Sequence, residues 1–470
     1  MEYLLGRIRT IRSEIHHIND IKELLDYIKL PIEKLSLILL GLWILTPVII
    51  LILAPGIPNE QNYKYYVGDI LGIEWNVYLQ QIGFVGFFIL ITLTCNYFNN
   101  IERKVLEKNY TVIILCLLVL MLIWSTISTV LSDDKTLSFY GTFYRKDGLL
   151  SYLSYAGIFS CGYAVRKNEN ILRLLELHTW VASILSLLIL IDNGNINKIF
   201  SLNSNSAIFY NINHFGYYSC IAIMCSVTLI LSGDKGSFVR RLLRFLLFIV
   251  LTAALVKNSS FGPYLAVMAG LTLLVFFKEY MDENQKKKLL LIILFFIIVT
   301  LSINVMRSSM FAEIKKLLFG IDKIIKKDED AGTAGSGRWI LWVNGIRFIF
   351  EKPIFGYGPD NLGARYLLEG INIDRPHNEI IQFAASLGIP AALFYVSAIL
   401  LHFRNLYKYK EHVSILCLGL YSAVFTYFVS SMFGNTMFYT SPFYFMIFGL
   451  SVGNMNNTLI EKGLLETNSV

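Results

Sequence analysis

Arg375-Pro376-His377-Asn378, followed by EIIQFAASLGIPAALFYVSAILL (379–401), closes a long polar segment and opens a helix apolar enough to enter a bilayer. A histidine beside arginines at that junction stands outside a bilayer core, where chemistry on an anion is feasible. The rest of the chain explains why the junction matters. With 55% hydrophobic, 14% aromatic and only 16% charged residues, its composition is far from that of soluble domains.

Crossing a bilayer takes ~20 apolar residues, and about twelve stretches qualify. They are 35–54, 77–98, 110–131, 148–165, 174–191, 214–231, 245–256, 261–277, 289–305, 382–403, 413–431 and 442–455. The expected fold is an all-α polytopic integral membrane protein with about twelve transmembrane helices and a large helical extracytoplasmic loop between spans nine and ten. The division is then 1–34, a cytoplasmic amphipathic segment; 35–305, spans one to nine; 306–381, the loop; 382–455, the last three spans; and 456–470, a cytoplasmic tail.

Lys and Arg set the orientation. Arg103, Lys104, Arg166, Arg173, Arg240, Arg241, Arg244, Lys286, Lys287, Lys288, Arg404 and Lys408 fall in one alternating set of loops, which the positive-inside rule makes cytoplasmic. An even number of spans puts both termini inside. The net charge of +7 therefore reports topology, and no nucleic-acid partner is expected. Ile8, Ile11, Ile15, Ile18, Ile21, Leu25 and Ile28 form a helical stripe among charges, as a segment lying on the inner membrane surface does. The six cysteines fall in or beside spans without metal-ligand spacing, so neither a disulfide framework nor a zinc site is expected. A phosphate-cradling glycine loop is also missing, which argues against ATP-driven transport.

The segment 306–381 is too long to be a mere connector. SMFAEIKKLLFGIDKIIKK (309–327) sets Phe311, Ile314, Leu318, Ile321 and Ile325 opposite lysines, the pattern of a basic interfacial helix. DEDAGTAGSG reads as a flexible connector. Ser336 is the expected N-cap of the next helix, with Trp339, Trp342, Ile346 and Ile349 as its apolar face. Arg338 in that first turn is disfavoured by the helix dipole unless an anion binds; the alternatives are snorkelling or pairing with Asp328, Glu329 or Asp330.

Pro376 suits a first helical turn, which places His377 in the helix and on one face with Gly388, about three turns on. Pro390 predicts a kink where this helix becomes the tenth span. The helix N-terminus and Arg375 disfavour imidazolium, leaving a neutral ring able to serve as a general base. A histidine that only hydrogen-bonds its own loop is the competing reading.

Together these residues resemble the O-antigen ligase/polymerase superfamily, bacterial membrane glycosyltransferases. His377, Asn378 and Gly388 fit the ligase pattern, while Ala391 departs from its last position. GRWILWVNGIRFIFEKPIFGYGPDN (337–361) resembles the family stretch in which an arginine precedes an apolar helix and a Pro-x-x-Gly-x-Gly turn. Asn213-His214-Phe215-Gly216 is similar to the family's entry into the sixth span. Where members often carry Ser-Arg-Gly, Ser259-Ser260-Phe261-Gly262 has no arginine, and Lys257 or Arg145 could supply that charge.

The resemblance implies a donor glycan on undecaprenyl diphosphate, a glycan or lipid-core acceptor, and a site on the outer side of the bacterial cytoplasmic membrane. It implies His377 and Arg338 as the catalytic pair, the arginine holding the diphosphate. Arg145, Arg375, Asn378, Lys257 and Asn213 are the candidate substrate-binding residues. Arg145 lies among Tyr140, Phe143 and Tyr144, where rings could stack on sugars or simply anchor the interface. Neither metal nor cofactor is expected. A ligase, a repeat-unit polymerase and, from another class, a lipid-linked glycan flippase remain open. A flippase would need ionisable groups near the midplane, where His178 is the main candidate and reads as a satisfied core histidine.

Overall fold

The computed structural model describes residues 21–53, 75–99, 110–142, 145–200, 202, 204–209, 211–233, 237–307, 309–326 and 332–464. Among them the ordered elements are α-helices. In the first half these are α1 (Ile21–Leu53), α2 (Trp75–Asn99), α3 (Thr111–Leu131), α4 (Lys135–Tyr140), α5 (Leu149–Ala164), α6 (Asn168–Ile191), α7 (Gly194–Phe200), α8 (Ile212–Leu231) and α9 (Phe238–Asn258). The second half adds α10 (Phe261–Phe276), α11 (Glu283–Arg307), α12 (Ser309–Ile325), α13 (Arg338–Glu351), α14 (Leu362–Leu368), α15 (Glu379–Leu387), α16 (Ile389–Lys408), α17 (Ile415–Ser431) and α18 (Ser441–Glu461). The side chains of the N-terminal isoleucine stripe, Phe143, Tyr144, Phe311, Ile314 and the 327–331 connector lie outside the described residues.

Among the described residues six segments are long and apolar enough to cross a membrane: Pro31–Ile52, Thr111–Leu131, Asn168–Ile191, Ile212–Leu231, Glu283–Val305 and Ile389–Lys408. Val77–Thr92, Phe261–Phe276 and Ile415–Ser431 are shorter apolar helices. Among the described residues eleven of the twelve expected spans fall on one helix each, and 382–403 falls on two, α15 and α16. The surface bears out the solvent: Phe84, Val130, Leu290, Val305 and Leu400 stand 59–86% exposed, as side chains against lipid do. Inside, α8 is enclosed from His214 to Leu229 and packs against α6, α9, α10 and α17.

Two rules of membrane packing hold the bundle. Hydroxyls within spans return their hydrogen to their own helix, as Ser125 does to Met121 O (2.8 Å) and Ser183 to Thr179 O (2.7 Å). Glycines let helices touch: a Cβ on Gly157 of α5 would stand 1.8 Å from Gly83 O of α2. His178 corrects the expectation of a satisfied histidine. Neither ring nitrogen has a hydrogen-bond partner, and the ring is stacked on Phe443 (5.0 Å) with Tyr218 edge-on (4.9 Å).

The segment between α11 and α16 folds on a small core of its own, formed by Leu341, Phe348, Leu362, Tyr366 and Ala385. This corrects the expected apolar face of α13: Leu341, Gly345 and Phe348 are buried, whereas Trp339 and Ile346 are 36% and 45% exposed. Arg365 lies over the Phe348 ring (4.6 Å) and pairs with Glu351 (2.8 Å), tying α14 to α13. The entry to the tenth span also differs from expectation. The chain breaks between α15 and α16 at Gly388, φ 94°, and Pro390 sits harmlessly in the first turn of α16. A Cβ on Gly388 would stand 1.9 Å from Ile354 O, so the glycine lets α15 lie against the turn after α13.

Candidate active site

The site forms where four stretches of chain meet: the turn after α4, the N-terminal end of α13, the 374–378 loop before α15, and the 432–440 loop between α17 and α18. Arg375 is the hinge of this assembly. Its guanidinium donates to Asp147 Oδ2 (2.9 Å), to Thr436 O (2.9 Å) and to Asp360 Oδ1. Asp360 in turn accepts from the Thr142 backbone N–H (2.6 Å) and hydroxyl (2.9 Å), while Asp147 accepts from Tyr155 (2.7 Å) and Thr436. Gln382, one turn into α15, donates to Thr436 Oγ1 (3.0 Å). Arg375 is therefore a buried structural cation between two carboxylates, and its place as a substrate ligand is taken by protein.

Asn378 is likewise used at both ends of its amide. Oδ1 accepts from Ile381 N (3.1 Å), capping α15, and Nδ2 donates to Met432 O (3.1 Å). This corrects the expected helix start, since Asn378 is the N-cap and Pro376 and His377 precede the helix. His377 and Gly388 consequently do not share a helical face. His377 adopts φ 52°, a left-handed conformation that costs an L residue about 1 kcal/mol and is held here by its clamped neighbours Arg375 and Asn378.

Ser336 is not the cap of α13. Gly337 occupies that position at φ 82° without a side-chain bond, and the first N–H groups of the helix, at Arg338 and Trp339, donate to Gly335 O (3.3 Å) and Ala334 O (3.3 Å), with Arg338 in the first turn as expected. Arg338 donates one bond, to Gly335 O (3.2 Å), and its Nε is buried without a partner. One turn on, Trp342 packs against Phe433, which brings α13 to the 432–440 loop.

His377 is the electrostatic centre of the group. Its ring is pushed down to about 4 by burial first, then by the nearby charges of Arg338 and Arg145, with Asp374 opposing and Arg375 adding little. A neutral ring was expected, but Arg338 and Arg145 outrank Arg375 among the charges responsible. Nδ1 meets Asn435 Nδ2 at 3.1 Å. Arg145 forms a two-pronged pair with Asp374, Nε to Oδ2 (2.6 Å) and Nη2 to Oδ1 (2.8 Å). Burial raises the Asp374 carboxyl, but the Arg145 bonds and charge outweigh it and hold the group below its ordinary range. Tyr140 is 57% exposed with its ring edge-on to Phe139.

The two remaining candidates tie helices together. Asn213 accepts from Ser260 (2.9 Å), joining α8 to the start of α10. Lys257 is buried at the end of α9, where it pairs with Asp192 (3.1 Å) and donates to Ile189 O at the end of α6. The charge that Ser259–Gly262 lacks is in this way already committed to a helix end.

Sequence reasoning missed Asp147, Thr436 and Asn435. Asp147 was visible only as part of RKDG, and the 432–440 loop carries no charge that would have drawn attention. Among the described residues no group of three His, Cys, Asp or Glu side chains is placed to hold a metal ion. Asp360, Asp374 and Glu369 face arginines.

The described chain is an all-helical polytopic membrane protein with a histidine and arginines gathered in the loops beside α13 and α15. Residues 220–396 match the family model described as O-antigen ligase, which supports the O-antigen ligase/polymerase superfamily. The match spans Arg338 and His377 and ends before the 432–440 loop. The family implies a glycosyltransferase-type enzyme of polysaccharide synthesis with lipid-linked glycan substrates, in the bacterial inner membrane. No curated protein matches the chain.

Proposed function

We propose that this protein transfers a glycan from an undecaprenyl-diphosphate carrier to an acceptor hydroxyl at the outer face of the cytoplasmic membrane, as an O-antigen ligase does. The observation that carries this reading is that Arg338 and Arg145 stand near enough to His377 for their charges to add to the burial that keeps its ring neutral. Arg338 in the first turn of α13 favours a diphosphate, Arg145 adds its charge from its pair with Asp374, and a neutral imidazole can exchange hydrogen bonds with the reacting groups. The acceptor oxygen attacks the anomeric carbon as the bond to the diphosphate breaks, the electron pair leaving on the diphosphate oxygen that Arg338 stabilises. Direct displacement inverts the anomeric centre. Whether His377 takes the hydroxyl proton or donates to the departing oxygen depends on which ring nitrogen carries hydrogen.

The acceptor decides between a ligase, which uses a lipid A core or another surface acceptor, and a polymerase, which uses a second carrier-linked repeat. Purified protein incubated with a carrier-linked glycan separates them: a single adduct on the lipid core marks a ligase, and a ladder on the carrier marks a polymerase. His377→Ala abolishes either product. Transfer persists in excess EDTA, because arginines neutralise the diphosphate; activity lost with chelator and restored by magnesium or manganese overturns the metal-free scheme.

A further inference from the structure

His377 is gripped at one ring nitrogen. Asn435 Nδ2 lies 3.1 Å from Nδ1, Asn435 is 3% exposed, and its Oδ1 is buried with no hydrogen-bond partner. Each nitrogen of a neutral imidazole either donates or accepts, so the orientation of the Asn435 amide and the tautomer of the ring are one choice. Two arrangements share the same heavy-atom positions. Either the amide N–H donates to a bare Nδ1 and the hydrogen sits on Nε2, or the amide carbonyl accepts from Nδ1–H and Nε2 is bare.

What remains at the enclosed end of the amide decides between them. The first arrangement leaves a carbonyl oxygen unmet, and the second leaves an NH2 group with its hydrogens unmet. Buried carbonyls short of a partner are tolerated more often than buried N–H groups. Neutrality of the ring makes the choice consequential, because an imidazolium would carry hydrogen on both nitrogens whatever Asn435 did.

We infer that Asn435 holds His377 with its hydrogen on Nε2, so that the edge left for substrate is a hydrogen-bond donor to the departing diphosphate oxygen and not a base. The tautomer stands on the contact alone, whereas the donor role rests on the glycan-transfer reading. In that role the acceptor oxygen bonds to the anomeric carbon, the carbon–oxygen bond to the diphosphate breaks with its electrons on the leaving oxygen, and the hydroxyl proton passes to water. Asn435 acts through His377 and is a positioning residue; it lies outside the stretch matched by the family model.

The test uses full-length protein labelled with 15N-histidine in detergent near pH 7.5, the His377 signals being assigned by their loss in His377→Gln. Ring-nitrogen shifts showing Nε2 protonated and Nδ1 bare are expected. A protonated Nδ1 in the wild type overturns the inference without any reference to activity. Asn435→Asp supplies a partner that only accepts but also favours imidazolium, so it is assayed above the ring titration that its own spectra report; there the hydrogen moves to Nδ1 and transfer falls by at least about tenfold, roughly one lost hydrogen bond to charge. His377→Gln keeps an N–H near the Nε2 position and loses less than the ~10²–10⁴-fold expected for a removed general base. An Asn435→Asp protein whose spectrum shows the switched tautomer and whose transfer equals or exceeds the wild type overturns the donor role. If neither wild type nor variant transfers glycan while the spectra are as expected, the transfer reading fails, the donor role falls with it and the tautomer stands.

Discussion

Arg375 and Asp147 stand 228 residues apart in sequence and meet at 2.9 Å, their side chains 2% and 0% exposed. With Asp360 on its other side, the guanidinium joins the turn after α4, the loop before α15 and the Thr436 carbonyl. Removing one member of such a buried network leaves an uncompensated charge. Arg375→Gln is expected to destabilise the protein by ~3–5 kcal/mol. Thermal unfolding in detergent checks it, and an unchanged midpoint would show that the network is dispensable.

Arg338 behaves differently because the protein gives it one carbonyl and, among the described residues, no carboxylate. Arg338→Lys keeps the charge and loses the planar fork, so transfer drops strongly while the unfolding midpoint stays within about a degree or two. Arg338→Gln also removes a cation that opposes imidazolium. The His377 titration, at about 4 in the wild type, moves upward in that variant. A midpoint that does not move would mean that Arg338 lies out of reach of the ring.

His377 sits at φ 52°, where glycine is at ease and other residues are strained. His377→Gly is therefore expected to be inactive yet no less stable than His377→Ala, by roughly 1 kcal/mol in favour of glycine before chain entropy offsets part of it. Paired unfolding curves decide it. A glycine variant clearly less stable than alanine would show that the left-handed backbone is not what the loop requires.

Glu379, two residues after His377 and the first residue of α15, is wholly buried, with Oε1 accepting from Tyr395 (3.1 Å) and Oε2 unmet. Burial pushes its carboxyl from 4.5 up to about 7, against the opposing bond of Tyr395. A raised folded value means stability fully present below pH 4.5 and lost as pH rises through about 7. Glu379→Gln, which cannot ionise, should match the wild type near pH 5 and exceed it by a few degrees near pH 8. Parallel pH dependences in the two proteins would show that Glu379 is already ionised.

Much of this protein is legible in one dimension because a bilayer enforces it. A span needs a long apolar run with its backbone bonds satisfied locally, so the helices around Thr111–Leu131 or Ile212–Leu231 stand where the hydropathy puts them. Arg338 at the start of α13 and His377 at the loop–helix junction were visible for the same local reason, namely helix punctuation. Punctuation erred by a residue or two at Ser336 and Pro376, where positive-φ residues and the Asn378 cap, rather than propensity, set the boundary. Partnership was not legible at all. That Arg375 is a buried brace and Arg338 the freer cation, that Arg145 is matched by Asp374, and that uncharged Asn435 touches His377 all depend on loops 58 to 229 residues apart being brought together. The sequence by itself determined an all-helical membrane protein with a histidine and arginines in its long loop. Only the tertiary structure decided which of those charges are neutralised by protein, because pairing is a property of distances that no local pattern encodes.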